Sequence, residues 1–505
     1  MRTGDCAAPV MPLAGSLTVC AVHFPGEGES NGMAVNRPGW VMPMAPYPIR
    51  RVCMRVVAVL LWSVLMLPGL SSAATQPQRN HALSLRESIA IALDRNLTIR
   101  LAERDVQTAE SGRDQAFAGF LPKLSGLLDY VHKSEAPTLD LVPNSVNIPG
   151  LPPAISNALD NARISLGDQD VSTLKVTLQQ PVFTGLGVTN NYRRSNRLLE
   201  VSRSRLRTTQ QALAFEVVRA FIAVLRAQKA AELSAQQVRA LEAQAAQARA
   251  FYEGGVIPRN DLLKAEVELA NARQILIRTH NQVELARAHF NYALGEDLNT
   301  PLQLEELREV QPAVVELKSA IQTAWDQRPE LQELAQSIEA ARRGVSAAQS
   351  QFLPQLSLVG TYTVDIAGGN PSFSPERWEI GGVLQWRAFE GGRVRAQVSE
   401  AKISQQKALD TLQQQRDRVA LEVKEAVLIL LEAEQKIRVA EKAIAQAEEH
   451  FRISQERYGA QIATTTEVVD AEALLTQART NYFNAVYDAH LASFALQKAT
   501  GVILE

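Results

Sequence analysis

Gln355-Leu356-Ser357-Leu358-Val359-Gly360-Thr361-Tyr362-Thr363-Val364-Asp365 alternates by twos. In an extended chain successive side chains point to opposite faces. Leu356, Leu358, Tyr362 and Val364 therefore share one face, opposite Ser357, Thr361 and Thr363. Three more segments behave alike. In 123–132, Leu124, Leu128 and Tyr130 oppose Lys123, Ser125 and Asp129. In 171–180, Leu174, Val176 and Leu178 oppose Thr173, Lys175 and Thr177. In 377–386, Trp378, Ile380, Leu384 and Trp386 form one face. Strands of about ten alternating residues with aromatics at their ends are the mark of transmembrane β-barrels. The plainer reading is an amphipathic sheet packed on helices, which is commoner.

Working outward, Phe352-Leu353-Pro354-Gln355-Leu356-Ser357 enters the quoted strand much as Phe120-Leu121-Pro122-Lys123-Leu124-Ser125 enters the first. The two prolines end helical patterns, because the residue before a proline avoids the helical region. The match extends back to Ile89/Ile321 and Asp94/Asp326, at an offset of 232. From Phe183/Phe389 to Gly295/Gly501 the offset is 206, so the first copy carries 26 more residues between these anchors. The Pro-, Asn- and Ser-rich 134–167 is the place for them and reads as an exposed loop; its counterpart 367–375 is short. A duplicated architecture follows. Repeat one runs over 83–300 and repeat two over 317–505, joined by a linker at 301–316. Each reads as helix (84–119; 317–351), strand, loop, strand, very long helix, turn and shorter helix.

No Gly or Pro interrupts 190–252 or 394–458. At 1.5 Å per residue each stretch spans roughly 95 Å, too long for one globular domain. Apolar residues step by three and four in Val238, Leu241, Ala245, Ala248 and Tyr252, and again in Ile437, Ala440, Ile444, Ala447 and Phe451. Many of these are alanines, which lets helices approach closely. Each long helix ends in a turn and an acidic restart: Tyr252…Gly254-Gly255-Val256…Asp261 in one copy, Tyr458…Gln461-Ile462-Ala463…Glu467…Asp470 in the other.

Arg50, Arg51 and Arg55, the short apolar run 56–67 and Ser71-Ser72-Ala73 form a secretory signal pattern over 54–73, with Met54 as its natural start. Residues 1–53 are read as a disordered leader or a misassigned start. A membrane anchor needs a longer apolar run. All three cysteines precede residue 54, so the mature chain is expected to hold no thiol or disulfide chemistry. A net charge of −2 gives no case for nucleic acid. No phosphate-cradling loop occurs. His280, His289, His450 and His490 lack metal-ligand spacing and read as solvated or tip-bonded helix residues. No enzyme, cofactor or metal is expected.

Four strands do not close a barrel, since the smallest have about eight. An open edge in lipid leaves backbone groups unpaired at several kcal/mol each. The chain is therefore read as mainly α with a membrane β-barrel to which it contributes four strands. The alternative is a secreted coiled-coil structural protein without a pore, which has no use for four matched amphipathic strands.

With its duplication, its Phe-Leu-Pro-x-Leu-Ser strand entries, its Phe-x-Gly exits at Phe183 and Phe389 and its Tyr-to-acid tips, the chain resembles the TolC-like outer membrane efflux proteins from about residue 83 to 504. The resemblance implies a homotrimer in outer membrane lipid. It would form a twelve-stranded barrel and a twelve-helix periplasmic tunnel, and serve as a passive exit duct that docks a periplasmic adaptor and an inner membrane pump. It also implies site residues. The pore-lining acids fall on Glu467 and Asp470, three apart at a helix start, where carboxylates also cap. The closing lock falls on Asp261 and Tyr458, and its arginine position is Ala463, a departure. The docking tips fall on Gly254, Gly255 and Val256, and on Gln461 and Ile462, where Gln461 replaces a glycine.

Overall fold

The computed structural model of the chain describes residues 82–136, 138–140, 152, 163–165, 168–307, 316–367 and 376–504. The leader and the signal segment lie outside them, as does 308–315 of the linker. Each repeat begins with two helices where the sequence suggests one. In the first repeat these are α1 (Leu85–Arg95) and α2 (Leu97–Phe117); in the second they are α5 (Leu317–Gln327) and α6 (Pro329–Gln349). Pro329 forces the second break, since it sits at N1 of α6. The first break has no proline. Asn96 caps α2 by accepting from the Thr98 N–H, and its Nδ2 donates to the Ala293 carbonyl at 2.9 Å.

The breaks are clasped by glycines. Gly295 (φ +76) and Gly501 (φ +86) end the last helix of each repeat. A Cβ on Gly295 would meet the Asn96 and Arg95 backbone at 3.1–3.2 Å, and one on Gly501 the Arg328 and Gln327 backbone at 3.1 Å. Both clasps lie within a repeat. Only glycine combines that left-handed turn with that closeness.

The strands are β1 (Lys123–His132), β2 (Thr138–Asp140), β3 (Arg163–Ser165), β4 (Asp170–Phe183), β5 (Gln355–Ala367) and β6 (Glu376–Gln385). β4 runs three residues past the expected end and β5 two, while Trp386 follows β6. The loop at 134–167 holds the short antiparallel pair β2–β3. The main sheet is antiparallel in the order β1-β4-β5-β6. Its register sets Leu128 opposite Leu174, Leu174 opposite Val364, and Tyr362 opposite Trp378. Opposed residues share a face, so one apolar face crosses all four strands. It is bare: Leu124 is 72% exposed, Trp378 74% and Ile380 70%. Among the described residues no α-helix packs across it. An ordinary sheet on helices would bury this face, so the plainer reading fails.

The long helices are α3 (Gly187–Glu253) and α7 (Arg393–Gly459), both 67 residues, about 100 Å each. They return through α4 (Arg259–Leu294) and α8 (Thr465–Thr500), both 36 residues. Each repeat has its own core. In the first, Val217, Phe221 and Val224 of α3 meet Phe290 and Leu294 of α4 and Ala92 of α1. In the second, Val419, Val423 and Leu430 of α7 meet Ala489 and Leu496 of α8 and Ala324 of α5. The alanine-rich seams hold, with Ala248, Ala265 and Ala272 buried in one hairpin and Ala440, Ala471 and Ala478 in the other.

Candidate functional site

The two turns lie side by side. Phe251 of α3 stacks on Tyr458 of α7 with ring centroids 5.4 Å apart, and Lys264 Nζ donates to Thr466 Oγ1 at 2.9 Å. Tyr458 is only 2% exposed, and its hydroxyl accepts from Thr465 Oγ1 at 3.1 Å. The side chain of Asp261, in the first turn of α4, has no hydrogen-bond or ion-pair partner among the described residues. The structure therefore does not join Asp261 to Tyr458 within one chain. Tyr458 is instead a packed core of the paired tips.

Glu467 and Asp470 stand in the opening turns of α8. Thr464 caps that helix, its hydroxyl accepting from the Glu467 N–H at 3.4 Å. The Glu467 carboxylate meets Arg457 Nη1 at 3.3 Å. An arginine thus reaches the acidic turn from position 457, where the sequence reading found none at 463. Asp470 is exposed and has no such cation. An acid at a helix start complements the helix dipole.

The residues expected to meet an adaptor are all exposed at the turn ends. Gly254, Gly255, Val256, Gln461 and Ile462 (71%) cover little of one another. Gly255 has φ +74 and Gln461, its counterpart, φ +61. The duplicated backbone thus keeps a left-handed turn after its glycine is lost.

Below the turns, paired residues follow one register. Glu242 binds Arg273 at 2.8 Å, and its copy Glu448 binds Arg479 at 2.9 Å. Glu266 binds Arg249 at 2.5 Å. Its copy, Glu472, has Gln455 at the position matching Arg249 and makes no ion pair among the described residues. Glu472 is 7% exposed beside a cavity of about 260 Å³ lined by Gln236, Gln237, Glu448, Phe451 and Arg479. Burial pushes its carboxyl above the usual range, opposed by the Thr476 hydroxyl bond (3.2 Å) and by Arg479. His490 also departs from the expectation. It is buried in α8 and held below the ordinary histidine range by that burial, whereas His280, His289 and His450 are exposed.

Arg457 and Glu472 escaped the sequence reading. In an antiparallel helix hairpin, residues equidistant from the turn face each other. Arg457 and Glu467 flank Ile462 symmetrically, which is the signal that would have found them.

The surroundings of this site are shared with known proteins. Residues 89–296 and 320–502 match the family described as Outer membrane efflux protein. Outer membrane efflux protein BepC of Brucella suis is 25% identical over 333 residues, covering 65% of this chain and 72% of the relative. Outer membrane protein TolC of Vibrio cholerae is 24% identical, covering 60% and 70%. Among solved structures, the Campylobacter jejuni CmeC outer membrane channel superposes with a TM-score of 0.69 at 16% identity, over 93% of this chain and 95% of that one. Both halves of the duplication fall within the family match, and the bare sheet face fits a lipid environment. The chain therefore belongs to the outer membrane efflux protein family and resides in the bacterial outer membrane.

Proposed function

We propose that three copies of this chain form a passive exit duct, closing their sheets into a twelve-stranded barrel above a twelve-helix periplasmic tunnel. One observation carries the reading: an exposed apolar face on a four-stranded sheet whose outer strands, β1 and β6, each keep an edge that is unpaired among the described residues. Lipid covers the face and neighbouring copies pair the edges, because unpaired backbone groups are not tolerated in hydrocarbon. The tips act as the gate. Asp261, Glu467 and Asp470 repeat around the threefold axis as rings of negative charge that favour cations. Tyr458 holds the two turns of each copy together, and opening separates hairpins between copies. Gly254, Gly255, Val256, Gln461 and Ile462 present the turn backbone to a periplasmic adaptor, which links the duct to an inner membrane pump of a tripartite efflux or type I secretion system. The test is recovery of the protein from outer membranes as a trimer that conducts ions in a planar bilayer. Glu467→Gln with Asp470→Asn lowers its cation selectivity. Recovery as a soluble monomer would sink the duct, and unchanged selectivity would reduce the two acids to helix caps.

A further inference from the structure

The junction between sheet and long helix differs between the two repeats. In the second repeat a polar cavity of about 290 Å³ opens there, lined by Gln351, Gln355, Gln385, Arg387, Glu390, Arg393 and Gln397. Gln355 and Gln385 are opposed in the register of β5 and β6. By alternation both lie on the polar face of the sheet, opposite Leu356 and Leu384. Two guanidinium groups share one carboxylate: Arg393 bonds Glu390, and Arg387 Nε lies 3.8 Å from it. One positive charge per copy is left over. Both arginines remain about half exposed, at 54% and 47%, so neither is spent on a buried pair. The carboxamide oxygen of Gln397 is buried with no hydrogen-bond partner among the described residues; as an acceptor it offers an anion nothing, so only the NH2 of that carboxamide adds to the two guanidinium groups. The first repeat keeps one cation there, Lys123 opposite Gln179 where the second repeat pairs Gln355 with Gln385, but it lacks the arginine pair. At the matching positions of β4 and α3 it carries Pro181, Thr184, Gly187 and Asn191, all uncharged.

We infer that this cavity is an oxyanion-binding station on the inner wall of the duct, taking a phosphate or carboxylate group of a passing solute. The inference rests on the duct reading, which turns the polar sheet face toward the lumen. Arginine suits the task because its planar fork grips two oxygens at once, and the carboxamides add further donors. Three excess charges around a narrow bore raise the local anion concentration. The duct then carries opposite signs at its two ends, acidic at the tips and basic at the junction.

The test uses the purified trimer in a planar bilayer, with inorganic tripolyphosphate added on the barrel side. The expected result is a concentration-dependent fall in current. In Arg387→Gln with Arg393→Gln the half-blocking concentration rises about tenfold or more, the loss expected for charge-assisted hydrogen bonds. Glu390→Gln moves it the other way, since the shared carboxylate is removed. Equal block of wild type and the double variant overturns the station, as does a wild-type current that tripolyphosphate leaves unchanged. A wild type that forms no conducting trimer overturns the duct and the station together. Trimer recovery of each variant separates a lost site from a lost fold.

Discussion

The two tips have the same backbone and opposite interiors. Tyr252 and Tyr458 occupy matching positions, yet the first is 39% exposed and the second 2%. Arg249–Glu266 closes one hairpin with an ion pair, whereas the copy sets Gln455 near a buried Glu472. Gly255 turns freely where Gln461 turns under strain. Lys264 is replaced by Asp470. Duplication preserved the scaffold, and divergence then gave the second tip the packed aromatic, the buried acid and the exposed carboxylate. Two turns of one length and conformation need not share one role.

The sharpest way to break this comparison is to remove the tyrosines one at a time. Tyr458→Ala leaves a hole between the turns and is expected to lower the stability of the tip by about 3–5 kcal/mol, the usual range for a buried aromatic. Tyr252→Ala is expected to change it by no more than about 1 kcal/mol. Hydrogen exchange of the turn amides measures both. Equal effects would mean that the assembled trimer buries Tyr252 as deeply.

Glu472 sets the next largest difference. Its folded pKa is raised, so its contribution to stability is fully present below the ordinary glutamate value of 4.5 and is lost as pH rises through the raised value. Glu472→Gln should abolish that loss and stabilise the neutral-pH protein by about 1–2 kcal/mol, the scale of an unsatisfied buried polar group. Gln455→Arg should do likewise by restoring the cation found in the first repeat. Thermal melting across pH 4 to 8 reads both, with Glu266→Gln as a control that gives no stabilisation. A wild-type melting temperature that is flat over this range would refute the buried-acid account.

The turn backbone gives a smaller contrast. A non-glycine residue in the left-handed region costs about 1 kcal/mol. Gln461→Gly should recover about that much, and Gly255→Gln should lose it, as read by protease resistance of the tips. Smallest in stability is Arg457→Gln. Its pair with Glu467 is half exposed, 52% and 44%, and such pairs contribute well under about 1 kcal/mol. Its signature is in selectivity instead: freeing Glu467 should raise cation preference in the bilayer. A fall would show Arg457 holding Glu467 toward the pore.

Much of this was legible in the sequence, and the reasons differ by element. The strands, the uninterrupted helices and the repeat show through because each rests on periodicity or on Gly and Pro, which act locally. Pro329 carries a local signal for the break at Arg328, but the sequence reading runs a single helix over 317–351. Its twin at Asn96 was harder to read, because the local cap from Asn96 to the Thr98 N–H interrupts no apolar pattern and the bond that anchors the break, to the Ala293 carbonyl, is tertiary. The acidic positions at the turns were visible, but their partners were not. Identical tyrosines became core and surface according to whether Phe251 and Thr465 lay beside them. Glu472 looked like Glu266 until the register set Gln455 where Arg249 had been.

The glycine clasps have a mechanical consequence. Gly295 and Gly501 pin the far end of each 36-residue return helix to the broken helix pair of its own repeat. That helix is about 54 Å long, so it works as a lever with the clasp as fulcrum. A tilt of roughly 5° at the glycine carries the tip about 5 Å, and no hydrogen bond along the helix has to break. If the tips open as proposed, aperture would be geared to small angles far from the opening itself. A methyl group added at either fulcrum would press on backbone 3.1 Å away and be felt most at the other end of the lever.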